Sequence, residues 1–131
     1  MKEFDRLVEV VHTLRKECPW DREQTLQSLK PYLLEETQEA IEAIEEDDDE
    51  LLAEELGDKL LHIVMLAEML KERKTADIKK VVVGITQKMI RRHPHVFGGK
   101  KLKSPGQVLR QWGQIKKKEK ARRRKQRGGK K

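Results

Sequence analysis

The sequence predicts an all-α protein. Apolar residues recur at helical spacing along most of the chain, and no segment alternates apolar and polar as a half-buried strand would. All four prolines fall at the borders of the periodic segments. At 131 residues the chain suits one domain with an appended tail, read here as 1–115 and 116–131. Its apolar content is mainly aliphatic, with two Trp, two Phe and one Tyr, and 40% of residues are charged. Helices of this kind have polar outer faces and suit an oligomer that shares apolar surface.

The elements follow in order. Phe4, Leu7, Val8, Val11 and Leu14 mark one face of a helix over 3–17, which should stop before Cys18-Pro19 because proline disfavours helix in the residue before it. Trp20-Asp21 offers an N-cap for a short helix running to about Lys30. Pro31 suits the first turn of the next helix, to about Glu46, with Leu33, Leu34, Ala40, Ile41 and Ile44 on its apolar side. Six consecutive acids, Glu45 to Glu50, read as a solvated turn or cap. The helix over about 50–73 is apolar nearly all round, the pattern of a central helix buried by several neighbours. A helix over 77–92 turns Ile78, Val81, Val82, Val83, Ile85 and Met89 inward and ends at Pro94. A last helix begins near Pro105, carries Val108, Leu109, Trp112 and Ile115, and dissolves into the tail, expected to be disordered.

Charge is unevenly spread. The formal net charge is +7, yet residues 116–131 hold 11 Lys/Arg against the single acid Glu119, while the other 115 residues carry 19 bases and 22 acids. The body is mildly acidic and the basicity is terminal. One cysteine, Cys18, excludes an intramolecular disulfide framework and agrees with a reducing cytosol. No apolar run approaches the ~20 residues of a membrane span. A soluble cytoplasmic protein with no membrane partner is expected.

The informative feature is the position of four acids. Glu36 and Glu39 are three apart on one helix, and Glu55 and Asp58 repeat the spacing on the next. At about 100° per residue, Glu55 and Asp58 fall among Leu51, His62, Leu66 and Met69, inside the apolar stripe. Two antiparallel helices joined by a short link would bring the four carboxylates together. Ionised and facing one another in a low-dielectric bundle, they would repel strongly. A divalent cation removes that repulsion, and hard oxygen donors suit Mg²⁺, with Mn²⁺ as a substitute. Against this stands the common solvated acid pair, the reading kept for Glu42 and Glu45–Glu50.

Cys18-Pro19-Trp20-Asp21, Leu34-Glu35-Glu36-Thr37-Gln38-Glu39 and Glu55-Leu56-Gly57-Asp58 follow one another in the chain. Arg91-Arg92-His93-Pro94-His95-Val96-Phe97 and Trp112-x-x-Ile115-Lys116 come after them. In this order the motifs resemble the MazG family of nucleotide pyrophosphohydrolases, over roughly residues 4–120. The resemblance implies a helical bundle with the active site on two central antiparallel helices, usually dimeric. It implies hydrolysis of (deoxy)nucleoside triphosphates to the monophosphate and pyrophosphate. Glu36, Glu39, Glu55 and Asp58 would be the Mg²⁺ ligands, with Glu39 (and Glu36 beside it) accepting the proton of the attacking water. Lys88, Arg91 and Arg92 resemble the family's phosphate-binding bases, and Trp112 and Lys116 match positions near the substrate. Glu35 matches the motif but turns away by helical angle, which suits a supporting role.

Trp20, Asp21 and Gln24 are candidates for the base or sugar pocket, with a core plug (Trp20) and an N-cap (Asp21) as the alternatives. His62, His93 and His95 read as packed or phosphate-proximal side chains, and Cys18 lacks a neighbouring base. Three other functions fit parts of the sequence. One is a pyrophosphohydrolase restricted to one nucleotide, such as dUTP, dCTP or phosphoribosyl-ATP. Another is a module that binds nucleic acid nonspecifically through its tail. The third is a catalytically silent helical scaffold.

Overall fold

Residues 1–99 and 101–128 are described by a computed structural model, and no strand occurs among them. The chain divides into two units, Met1–Val81 and Val82–Lys131.

In the first unit, α1 (Lys2–Glu17) carries Glu3 and Asp5 in its first turn and Arg15 and Lys16 in its last, each sign matching the helix dipole. It stops at Cys18, held extended (φ −87°, ψ 121°) because Pro19 follows. Pro19 then opens α2 (Pro19–Glu23), with Cys18 as N-cap. Asp21 is therefore inside the first turn and is not the cap, since the fixed φ of Pro19 starts the helix earlier. Nor does α2 reach Lys30. Gln24 is extended, and the backbone N–H groups of Thr25 and Ser28 donate to each other's hydroxyl oxygens at 2.8 and 3.1 Å. That exchange closes a turn in place of helix.

Helix α3 (Lys30–Glu45) has Pro31 in its first turn, and α4 (Asp49–Glu72) returns after a tight link. The acid run makes this link. Asp47 takes a left-handed conformation (φ +54°), and Asp48 caps α4 by accepting the N–H of Leu51 at 3.0 Å.

Helices α1 and α3 both pack on α4. Val11, Leu29, Val64, Met65 and Met69 form the buried centre, with Phe4, Leu7, Leu61 and Ile78 against it. Burying each such side chain stabilises by roughly 1.5–3 kcal/mol, so this core is modest. The expectation that neighbours surround α4 is met only from Val64 to Met69, where Val64, Met65, Ala67, Glu68 and Met69 are buried. Leu56, Leu60 and Ile63 are exposed, as are Leu34, Ile41 and Ile44 of α3, because within this unit only α1 and α3 cover α4 extensively. Two polar links cross from α1 to α4: His12 pairs with the buried Glu68, and Arg15 with Glu72.

The second unit takes up most of α5 (Ile78–Arg92), the short α6 (Pro94–Phe97) and α7 (Pro105–Gly128). Val81, Val82, Val83 and Ile85, expected inward, are all exposed, while Ile78 packs in the first unit's core. Helix α7 does not end near Ile115. It continues to Gly128, because Lys, Arg, Gln, Glu and Ala are good helix formers and no Pro or Gly intervenes from 114 to 127. Residues 129–131 of the expected tail lie outside the described residues.

Candidate active site

The turn at Glu46–Asp48 folds α4 back along α3 and brings Glu36, Glu39, Glu55 and Asp58 together. Each of the four offers a carboxylate oxygen, and these oxygens all lie within 4.8 Å of one another. Lys59 holds the pair of helices nearby by donating to Thr37 Oγ1 at 2.8 Å. Oε2 of Glu36 and Oε2 of Glu55 are shut off from solvent without a hydrogen-bond partner. Carboxylates cannot satisfy one another when all are ionised. The strain is visible in their acidities. Withdrawal from water, then the neighbouring Glu39 carboxylate, pushes Glu55 up to about 7. Withdrawal from water, then the charges of Asp58 and Glu39, raises Glu36. Orphaned, closely spaced oxygen acceptors are the donor set that a hard divalent cation satisfies. Glu35 is exposed on α3, as its helical angle suggests.

The aromatic neighbours of this cluster were only partly legible. His62 follows Asp58 by one turn of α4, its Nδ1 buried without a partner. Its ring lies 6.5 Å from that of Tyr32, which meets Trp20 edge-on at 5.8 Å. Trp20 is 51% exposed and is no core plug. Gln24 spends its amide locally: Nε2 donates to the Trp20 carbonyl at 3.0 Å and Oε1 accepts from Ser28 Oγ at 2.8 Å. It shapes the turn that carries Trp20.

Sequence reasoning missed Arg15. It donates to Glu72 through two nitrogens and, through Nη1, to the carbonyls of Asp21 at 2.5 Å, Arg22 at 3.2 Å and Gln24 at 2.9 Å. A basic residue ending α1 signals only dipole complementarity, and three carbonyl acceptors leave no trace in sequence.

The second unit gathers the other expected residues. Arg91 Nε donates to Glu119 at 2.6 Å, and Arg92 Nη2 donates to the other carboxylate oxygen at 2.9 Å. The Arg92 guanidinium lies 5.2 Å from the centre of the Trp112 ring, which also meets His93 edge-on at 5.1 Å. His93 Nδ1 is bonded to the Met89 carbonyl at 2.6 Å, and His95 Nδ1 to the Gln111 amide at 3.1 Å, so both histidines serve the packing here. Lys88 is half-buried, and Lys116 is exposed on α7. The role of Glu119 was missed, although a lone acid in a basic run was its signal.

Residues 24–97 match the MazG nucleotide pyrophosphohydrolase domain, and the chain belongs to that family. It is 47% identical over 128 residues to the nucleoside triphosphate pyrophosphohydrolase/pyrophosphatase MazG of Thermotoga maritima, covering 96% of this chain and 49% of that protein. It is 41% identical over 124 residues to the nucleoside triphosphate pyrophosphohydrolase of Escherichia coli strain K12, covering 92% of this chain and 47% of that one. The chain thus spans about half the length of these curated relatives. The crystal structure of a mazG-related protein from Thermotoga maritima superposes with a TM-score of 0.73 at 26% identity, over 86% of this chain and 98% of the other. The helical fold is that of this family.

Proposed function

We propose that this chain hydrolyses nucleoside triphosphates to the monophosphate and pyrophosphate, with Mg²⁺ held by Glu36, Glu39, Glu55 and Asp58. One observation carries the reading: four carboxylate oxygens within 4.8 Å of one another, two of the side chains having an orphaned buried oxygen. The family and the names of its relatives support the same reaction.

Bound there, Mg²⁺ would neutralise phosphate oxygens and acidify a water, with Mn²⁺ as a substitute. Glu39 takes the proton of the attacking water, with Glu36 beside it. The water oxygen forms a bond to phosphorus, the bridging bond between the α and β phosphoryl groups breaks, and pyrophosphate leaves. Trp20 is assigned to the base, and Gln24 to holding the turn that presents it. Lys88, Arg91, Arg92, Trp112 and Lys116 are assigned to the substrate on the family resemblance.

The exposed Leu34, Ile41, Ile44, Leu56, Leu60 and Ile63 support a homodimer or higher homo-oligomer. Among the described residues no helix is long and apolar enough to cross a membrane, and a cytoplasmic setting is proposed. The boundary near 115 is kept as a functional division, with the carboxylate cluster in 1–115 and Lys116 at its edge. A second reading, nonspecific nucleic-acid binding through residues 116–131, draws on the exposed bases of α7.

Incubation with a panel of ribo- and deoxynucleoside triphosphates, with and without Mg²⁺, tests the reaction. Metal-dependent monophosphate and pyrophosphate are expected, lost in Glu39→Gln and Asp58→Asn. Diphosphate and orthophosphate would place attack at the terminal phosphorus and overturn the proposal. Deleting 120–131, which keeps Glu119 on Arg91 and Arg92, should abolish any nucleic-acid binding and spare hydrolysis.

A further inference from the structure

Helix α7 divides at Glu119. There it is tied to α5, the carboxylate accepting from Arg91 at 2.6 Å and from Arg92 at 2.9 Å. Beyond it, residues 120–127 hold six bases and no acid, and all eight are exposed. None of these bases, nor Lys117 or Lys118 before them, joins an ion pair among the described residues. Complementarity to the helix dipole accounts for Lys125 and Arg127 in the last turn and not for the other four. The helical turn sorts the bases by face. At about 100° per residue, Lys118, Arg122 and Lys125 form one row, and Lys120, Arg124 and Arg127 form another on nearly the opposite side. Glu119 and Gln126 lie between the rows on the side toward α5. On the side away from α5 lie the small residues Ala121 and Gly128, with Lys117 a turn earlier. Bases three and four apart within a row repel one another unless anions sit against them.

Resting on nucleic-acid contact by residues 116–131, we propose that α7 from Lys118 to Arg127 docks in the major groove of duplex DNA. Ala121 leads, and the two basic rows meet the phosphates of the two groove walls. A helix with its side chains is about 10–12 Å across, and the major groove of B-form DNA is about 12 Å wide. The minor groove, about 6 Å wide, excludes it, as does the deep, narrow major groove of duplex RNA. A membrane surface needs an apolar helix face, and from Lys117 to Arg127 the only apolar residue is Ala121. A single strand is gripped by stacking on aromatic rings, and this stretch has none. A helix basic on one side suits a flat anionic surface, whereas bases on two opposite sides suit a channel with two anionic walls. Phosphate contacts carry no base information, so the docking is independent of sequence.

The test is fluorescence anisotropy of a short labelled DNA duplex of mixed sequence, titrated with the full chain and repeated with the single strand and with duplex RNA. The DNA duplex should bind tightest. Contacts from the six row bases predict an affinity that falls by roughly a thousandfold between about 50 and 200 mM salt. Lys118→Gln/Arg122→Gln/Lys125→Gln removes one row, and Lys120→Gln/Arg124→Gln/Arg127→Gln removes the other. Each should weaken duplex binding by roughly tenfold or more at low salt and cut the salt dependence by about half. Lys118→Arg/Arg122→Lys/Lys125→Arg, which keeps the charges, should bind like the unaltered chain, separating loss of contacts from loss of the helix. Nucleotide hydrolysis should be unchanged in all three variants, and the binding readout needs no turnover. Loss in one row variant with none in the other would mean docking on a single face and would overturn the groove. Equal or tighter binding of single-stranded DNA or duplex RNA would overturn the DNA duplex as partner and leave nucleic-acid contact standing. Binding of no nucleic acid would end both, as would capture by phosphatidylglycerol vesicles in place of DNA.

Discussion

Arg15 and Glu72 join the end of α1 to the end of α4 by two parallel hydrogen bonds, Nε to Oε2 at 2.8 Å and Nη2 to Oε1 at 2.7 Å. The remaining nitrogen of Arg15 collects the carbonyls of Asp21, Arg22 and Gln24. One side chain thus ties the core helices to the turn that presents Trp20. Arg15→Ala removes all of these bonds and should lower stability by about 1–3 kcal/mol in urea unfolding. Glu72→Gln, whose acid side is nearly half exposed, should cost about 1 kcal/mol or less. Equal losses in the two variants would show that the carbonyl contacts contribute nothing.

Substitution of Trp20 should affect binding more than folding. Its ring is half exposed and touches Tyr32 by an edge, so Trp20→Ala should change the thermal midpoint little. Its effect should appear as a raised KM for nucleotide with a smaller change in kcat. A variant with unaltered KM for every nucleotide would remove Trp20 from the base pocket.

The carboxyl of Glu119 gives a pH-dependent readout of the second unit. Its folded value of about 2 lies below the ordinary carboxylate range of about 4.3. A depressed acid contributes stability that is fully present above the unfolded value and is lost as pH falls through the folded one. The attachment of α7 to α5 should therefore persist above about pH 4.3 and weaken as pH drops towards 2. Carboxyl NMR of Glu119 should show the depressed midpoint in the unaltered chain, with Arg92→Gln returning it towards the ordinary range. An unmoved midpoint would show that Arg92 does not hold it.

Much of the site was written in the sequence because helical spacing is rigid. Acids three apart must share a face, and two such pairs across a short acidic link must meet if the helices pair. The Glu36–Glu39 and Glu55–Asp58 arrangement therefore followed from periodicity. The ending of α7 did not, since a run of like charges carries the composition of a disordered tail and the helix propensity of a continuous one. Only the partnership of Glu119 with Arg91 and Arg92 distinguishes them, and it joins residues 27 and 28 apart. The exposure of Leu56, Leu60 and Ile63 was equally hidden, because periodicity identifies an apolar face without saying which chain covers it.

Crowded carboxylates also cost stability in the absence of a cation. Glu55→Gln removes one charge from the set, so its metal-free thermal midpoint should rise above that of the unaltered chain. Mg²⁺ should raise the midpoint of the unaltered chain and leave that of the variant nearly unmoved. A metal-free midpoint that falls on substitution would mean that Glu55 has a satisfied partner.

The most direct test of the central claim is Mn²⁺ binding followed by electron paramagnetic resonance, without nucleotide. The unaltered chain should quench the free-ion signal saturably, and Glu55→Gln/Asp58→Asn, still helical by circular dichroism, should leave it unquenched. Equal quenching by both proteins would place the metal elsewhere and contradict the assignment of Glu36, Glu39, Glu55 and Asp58 as its ligands.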